Sequence, residues 1–486
     1  MNKRKGILGL LLLAMLSVHA QTAQAQTAER GLKECIRMGI ERNLSLKNAR
    51  IGIEAGRTTV SQARANLLPQ VNGTLQAGDY LKQPVNVTTS TLLGADFPDN
   101  PTWGKVRTMP LTAQGAIQVG LPLYNATIYA AIDAAKVVES LNRTAYEKVR
   151  LDLAVQIAQV YFMAQATLEN RYLLDENIER MDSLCRITRA LYEQGVVLEI
   201  DYTRVDINRK NLAAQRDQVV MLYGQQMNLM RFLLNLDASE PIDVVRMPQD
   251  ITKLPVGGLN ELLPELQLVD QKLTLLDRHI RQTRAGYLPS LTLAGQLGYM
   301  GFQESLGDFF GSKSNWFGNA YVGLNVSIPL FDANKRRLQI RQYRHQQEQT
   351  RNSRLLQHAQ LQEQYDNAVL QIAQTERMFQ TQRENLRQST DVYGVTEIKY
   401  REGVSSMTEL LQDEMRLREA QGNLVTAHYQ FNKSQVDLLR LSGNLDTIIN
   451  VILCKHLHKM LYVKSHIMSS SAINYKNCYW ESKRCA

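Results

Sequence analysis

The sequence predicts a mainly α-helical fold combined with a membrane β-barrel, in which each chain supplies long coiled-coil helices and four β-strands. Three observations predict it. The chain repeats itself once, the hydrophobic period switches between strand and helix spacing beside paired prolines, and the stretches in between are very long and almost free of glycine and proline.

The repeat is read from three pairs of segments kept in order. Gln62 to Pro69 (Gln-Ala-Arg-Ala-Asn-Leu-Leu-Pro) answers Gln282 to Pro289 (Gln-Thr-Arg-Ala-Gly-Tyr-Leu-Pro). Gly120-Leu121-Pro122-Leu123-Tyr124-Asn125-Ala126 answers Ser327-Ile328-Pro329-Leu330-Phe331-Asp332-Ala333, and Tyr192-Glu193-Gln194-Gly195-Val196 answers Tyr400-Arg401-Glu402-Gly403-Val404. The offsets are about 220, 207 and 208 positions, so two halves of about 200 residues share one plan and differ mainly in one loop. The first repeat is assigned to 26–240 and the second to 261–445.

Strands are expected at 71–81, 113–121, 290–300 and 319–328, where apolar residues alternate with small or polar ones. Val71, Gly73, Leu75 and Ala77 alternate with Asn72, Thr74, Gln76 and Gly78, and Ile117, Val119 and Leu121 with Gln118 and Gly120. Leu291, Leu293 and Leu297 alternate with Thr292 and Gln296, and Val322, Leu324, Val326 and Ile328 with Gly323, Asn325 and Ser327. About nine to eleven residues per strand suits a membrane strand with lipid on one side and water on the other. A half-buried hairpin on a soluble core would alternate in the same way. The connections Lys82 to Met109 and Gly301 to Gly318 favour the membrane reading, because hairpins in compact domains usually turn in about two to five residues. Pro69, Pro122, Pro289 and Pro329 mark the strand–helix junctions.

Between the strands the chain reads as rods. Asn125 to Gln194 holds neither proline nor glycine, and Asp332 to Glu402 is interrupted only by Gly394, expected to break it near its end. Each could extend about 105 Å at 1.5 Å per residue. Leu361, Tyr365, Ala368, Ile372, Thr375 and Phe379 recur at spacings of four and three, a coiled-coil seam, and Ala154, Ala158, Tyr161, Gln165, Leu168 and Tyr172 form its counterpart. Both rods end at the Tyr-x-x-Gly-Val element, where Gly195 and Gly403 can take positive φ and reverse the chain into returning helices, Leu198 to Leu236 and Met407 to Leu441. The proline-rich 241–260 is a connector.

The ends bound the compartment. Lys3, Arg4 and Lys5, the apolar run Ile7 to Leu16, and Ala20, Ala23 and Ala25 make 1–25 a signal peptide, cleaved after Ala20 or Ala25. The run is about ten residues, half of what a spanning helix needs. No cysteine near either cleavage site could carry a lipid. The net charge of +9 comes mainly from this signal and from a basic tail at 446–486, so the body is nearly neutral and no nucleic-acid footprint is present. That tail shows neither repeat nor periodicity and is read as atypical, with the character of a non-native extension. Cys35, Cys185, Cys454, Cys478 and Cys485 make no disulfide framework, and Cys454 with His456 and His458 matches no zinc spacing.

Four strands cannot close a barrel alone, because open edges in lipid leave unpaired backbone groups costing several kcal/mol each. Two copies would give eight strands and a filled barrel; three would give twelve and begin to leave a lumen.

The paired Leu-Pro strand entries, the Pro122-Leu123-Tyr124 and Pro329-Leu330-Phe331 endings and the two Tyr-x-x-Gly turns resemble the TolC-type outer membrane efflux protein family, over Leu32 to Leu445. Leu32 to Asn43, followed by Leu46, Ala49 and Ile53, resembles that family's first helix. The resemblance implies a homotrimer with a twelve-stranded barrel in outer-membrane lipid and an α-helical tunnel across the periplasm. Its closed tip would be opened by a periplasmic adaptor linked to an inner-membrane pump of the proton-driven RND or ATP-driven ABC type. It places Tyr192, Gly195, Val196, Tyr400, Gly403 and Val404 at the adaptor-facing tip. The family's two constriction aspartates, six and nine positions past the second tip glycine, correspond to Glu409 and Gln412, with Asp413 and Glu414 following. An acid is kept at the first position and lost at the second.

No phosphate-cradling loop, metal-binding His pair or nucleophile triad stands out, and His279, His345 and His358 are isolated on polar helix faces, so neither an enzyme nor a cofactor is expected. The competing reading is an exported coiled-coil scaffold without a pore.

Overall fold

A computed structural model describes residues 29–89, 103–107, 109–254, 257–305 and 316–445. The segment expected to be a signal peptide, 1–25, and the tail at 446–486, with its three cysteines, lie outside them. The elements run β1 (Glu29–Arg30), α1 (Leu32–Arg42), α2 (Leu44–Ala65), β2 (Gln70–Asp79), β3 (Val85–Thr89), β4 (Trp103–Arg107), β5 (Leu111–Tyr124), α3 (Ala126–Glu193), α4 (Glu199–Leu234), β6 (Asp243–Val244), α5 (Pro264–Ala285), β7 (Ser290–Gln303), β8 (Trp316–Ser327), α6 (Lys335–Arg401) and α7 (Met407–Leu441). The chain divides into two compact units, one of residues 51–144 and 268–354, the other of the remainder.

The first unit holds the sheet. Its four strands run β2-β5-β7-β8, all antiparallel, so each repeat contributes one hairpin and β5 joins β7 across the duplication. The strands differ from expectation at their ends: β2 stops at Asp79 rather than 81, while β5, β7 and β8 start or end up to three residues further out. Strand length is set by partners: β7 pairs with β8 as far as Gly301 and with β5 as far as Gln303. Pro122 lies past the last β2–β5 pair, Gln70 with Gly120, where β5 has one neighbour and a missing N–H is tolerated; a bulge follows between Pro122 and Tyr124. Pro69 and Pro289 immediately precede β2 and β7, and Pro329 follows β8. The long connection expected at 82–109 carries the small antiparallel pair β3–β4. Below the sheet, helices pack closely. A Cβ on Gly56 would meet the backbone of Glu139 at 3.0 Å, and Asn142 donates from Nδ2 to the Gly52 carbonyl at 2.8 Å.

The second unit is helical and holds the main core. Cys35 and Ile36 of α1 pack with Ile157, Ala158 and Ala164 of α3, Met230 and Leu234 of α4, and Leu439 of α7. Burial pushes the Cys35 thiol up to about 12, so it behaves as a small apolar residue. The expected seam on α6 is observed, with Leu361, Ala368, Thr375 and Phe379 buried and Tyr365 and Ile372 half-buried. Gly394 does not break α6, which runs 67 residues through it. One helical glycine costs about 1 kcal/mol, too little to stop a helix held by packing on either side. The connector is more ordered than expected: β6 pairs in parallel with β1, Glu29 opposite Asp243 and Arg30 opposite Val244.

Candidate functional site: the strand faces, the tip turns and the acids beside them

Residues paired across antiparallel strands point to the same face, so the register tests the alternation across the whole sheet. Val119 pairs with Gly295 and Gly295 with Val322; Leu121 pairs with Leu293 and Leu293 with Leu324; Leu291 pairs with Val326. Val119, Leu121, Leu293, Val322, Leu324 and Val326, all in the apolar phase of the alternation, therefore share one face, and Val71 joins them opposite Val119. Towards the loop end of that face the rings of Tyr299 and Trp316 occupy the space where Gly318 and Gly301 would carry a Cβ. Amphipathic rings at the edge of an apolar band are the usual anchors at a membrane–water boundary. The opposite face of these four strands carries amides, hydroxyls and small residues over most of its length, with Met300, Phe302 and Phe317 at the loop end, and no Asp, Glu, Lys, Arg or His.

The two turns close in the same geometry. Gly195 and Gly403 each have φ of +75°; Val196 N–H donates to the Leu191 carbonyl at 2.9 Å and Val404 N–H to the Lys399 carbonyl at 2.9 Å. With Gly195 N–H on Tyr192 and Gly403 N–H on Tyr400, both are Schellman C-caps, which satisfy the last carbonyls of α3 and α6. Val196 and Val404 are exposed at 66% and 74%. The tyrosines diverge. Tyr192 is exposed, whereas Tyr400 packs in a cluster with Met181, Val205, Leu212 and Met407, and burial pushes its hydroxyl above its usual value.

Past the second turn, Ser406 caps α7 by accepting from the Glu409 N–H at 3.2 Å, and Ser405 Oγ donates to Glu409 Oε2 at 2.6 Å. Glu409 is thus the third helical residue of α7, capped through its N–H, and a carboxylate in the first turn is favoured by the helix dipole. Glu409 and Gln412 are exposed. Asp413 is not: it is 7% exposed, accepts from Thr396 Oγ1 at 2.7 Å and pairs with Arg416 at 3.2 Å. In this chain Asp413 thus holds α6 to α7, whereas Glu409 and Gln412 of the expected constriction set stay exposed.

Two features were missed at the level of sequence. Glu414 is 1% exposed and pairs with Arg418 at 3.0 Å; burial raises its pKa and Arg418 opposes the rise. The signal was available, since Glu414 falls on the seam Met407, Leu410, Glu414, Leu417 at spacings of three, four and three. The second is the cross-strand row Asn72, Gln118, Gln296 and Tyr321, which alternation cannot reveal because it fixes faces and not partners. No cluster of three His, Cys, Asp or Glu able to hold a metal occurs among the described residues, and no described helix is long and apolar enough to cross a membrane.

Comparison with known proteins agrees with this geometry. A family model described as "outer membrane efflux protein" matches residues 35–233 and 260–444. The chain is 22% identical over 446 residues, 87% of each chain, to the probable efflux pump outer membrane protein TtgC of Pseudomonas putida. In structure it is similar to the outer-membrane channel OprN, with a TM-score of 0.67 and 17% identity over 85% of this chain and 90% of that one. The same TM-score and identity relate it to the Campylobacter jejuni CmeC outer membrane channel, over 85% and 86% of the two chains.

Proposed function

The chain belongs to the outer membrane efflux protein family, and on that premise we propose that it is the outer-membrane exit duct of a tripartite efflux or type I secretion assembly, working as a homotrimer. The observation that carries this reading is the sheet. It has one face that is apolar from the helix end as far as Tyr299, an opposite face that is largely polar and free of charges, and two outer edges, on β2 and β8, that have no sheet partner among the described residues. In hydrocarbon each unpaired N–H or C=O costs several kcal/mol, so the edges must be closed by other copies, β8 of one against β2 of the next. Three copies give twelve strands and a lumen lined by the polar face.

In this reading α3 and α6 with their returning helices supply the tunnel wall. The exposed turns at Val196 and Val404 are the surface offered to a periplasmic adaptor, and an inner-membrane pump of RND or ABC type supplies the energy. The duct itself does no chemistry: it excludes lipid, keeps a wet path and holds a tip that opens. Pro69, Pro122, Pro289 and Pro329 fix where strand gives way to helix in each repeat. A scaffold without a pore would have no use for two pairing-competent edges beside an apolar band.

The test is direct. The exported protein should migrate as a heat-modifiable oligomer from outer-membrane fractions and give single-channel steps in planar bilayers. Recovery as a water-soluble monomer without conductance would overturn the proposal.

A further inference from the structure

Asn72 pairs with Gln118, Gln118 with Gln296, and Gln296 with Tyr321. These consecutive pairings make one row across all four strands, with neighbouring Cβ atoms about 4.5–5.5 Å apart on one face. The adjacent rows are built mostly from small residues. On one side lie Thr74, Ala116, Gly298 and Asn319, on the other Gln70, Gly120, Ala294 and Gly323. The long amides therefore stand above their surroundings, beside a concavity of about 620 Å³ that all four row residues help to line. Tyr321 lies along its strand over Gly323, where a Cβ would run into the phenol, and the residue remains 61% exposed. The three amides form no side-chain hydrogen bond with any described residue, so their donors and acceptors face the cavity free.

We propose that this row is a binding site for uncharged polyhydroxylated solutes, of the oligosaccharide class. The inference rests on the duct reading, in which the polar face lines the lumen and three copies set three such rows at one height. Each amide offers two donors and a carbonyl acceptor, which matches hydroxyls that both give and take hydrogen bonds. The flat, exposed phenol offers an apolar face to the C–H side of a sugar ring. A charged solute would give up hydration at a wall that holds no opposite charge.

Maltohexaose is the probe. With the wild-type trimer in nanodiscs, saturation-transfer NMR should show magnetisation passing from protein to sugar. In Gln118→Ala/Gln296→Ala the affinity should fall about tenfold, two hydrogen bonds being lost per row. Heat-modifiable migration reports whether the variant has assembled, and Tyr321→Phe is a second variant that should keep most of the binding because it keeps the ring. Equal transfer in the wild type and the double variant, or none in a conducting wild-type trimer, would overturn the site and leave the duct standing. A wild type that neither assembles nor conducts would overturn the duct.

Discussion

Gly195 and Gly403 hold the same left-handed backbone, φ +75° in each, at the ends of the two duplicated rods. Nothing lies within 4 Å of where a Cβ would stand on either, so the positions need glycine for conformation and not for space. Gly403→Ala should therefore cost about 1–2 kcal/mol, the penalty of a left-handed L-residue. Gly403→Asn should cost much less, since Asn235 already takes φ +51° at the C-cap of α4 in this same chain. Urea unfolding followed by helical circular dichroism would check the pair; equal losses for Ala and Asn would mean that the backbone is not what selects glycine here.

Leu324 and Asn325 are neighbours in β8 that point to opposite faces. Leu324 pairs with Leu293, Asn325 with Thr292. Arginine at Leu324 should cost about 2–4 kcal/mol near the bilayer midplane and reduce assembled oligomer, whereas Asn325→Arg should assemble normally. Equal yields of heat-modifiable oligomer for the two variants would sink the assignment of the apolar face to lipid.

His428 is 4% exposed and meets Phe379 edge-on, with ring centroids 5.2 Å apart. Burial pushes its pKa down from 6.5 to about 4, against the weaker upward pull of Glu169 and Asp250. The neutral ring is favoured in the folded protein, so its contribution is complete above pH 6.5. It is lost as pH falls towards 4, when the unfolded chain takes up the proton first. The loss should reach roughly 3 kcal/mol. His428→Leu should flatten the stability profile between pH 6.5 and 4; an unchanged slope would show that other groups carry it.

The sequence made the seam legible at Leu361 to Phe379 because a spacing of four and three has one structural meaning over two or more heptads. It made the strand faces legible too, since alternation sorts Leu324 from Asn325 without reference to a partner. Register was not legible. That Gln118 lies opposite both Asn72 and Gln296 depends on three strands meeting, and no single strand encodes it. The two-residue strands β1 and β6 are too short for any period, and Gly394 was misleading because local propensity yields to packing along a long helix. At the two Tyr-x-x-Gly turns, the glycines were readable from their repetition. The burial of Asp413 was not, because Thr396, its partner, lies on another helix.

Glu409 and Asp413 sit four residues apart on α7 and do different work. Asp413 is enclosed and bonded to Thr396, so Asp413→Asn should weaken the α6–α7 contact and lower stability by about 1–3 kcal/mol. Glu409 is exposed, its one described side-chain partner is Ser405, and a trimer would bring three copies towards one axis. Confined carboxylates recruit cations, as charged rings do in channels generally. Glu409→Gln keeps the hydrogen-bonding shape, and the Ser406 cap on the Glu409 N–H is a backbone contact, so folding should change little. In reconstituted trimers, block by divalent cations added from the periplasmic side should weaken in Glu409→Gln and persist in whatever fraction of Asp413→Asn assembles. The reverse pattern would place Asp413 in the ion path in the assembled protein. Unchanged block and conductance in Glu409→Gln would leave Glu409 a solvated helix-cap residue with no part in the constriction.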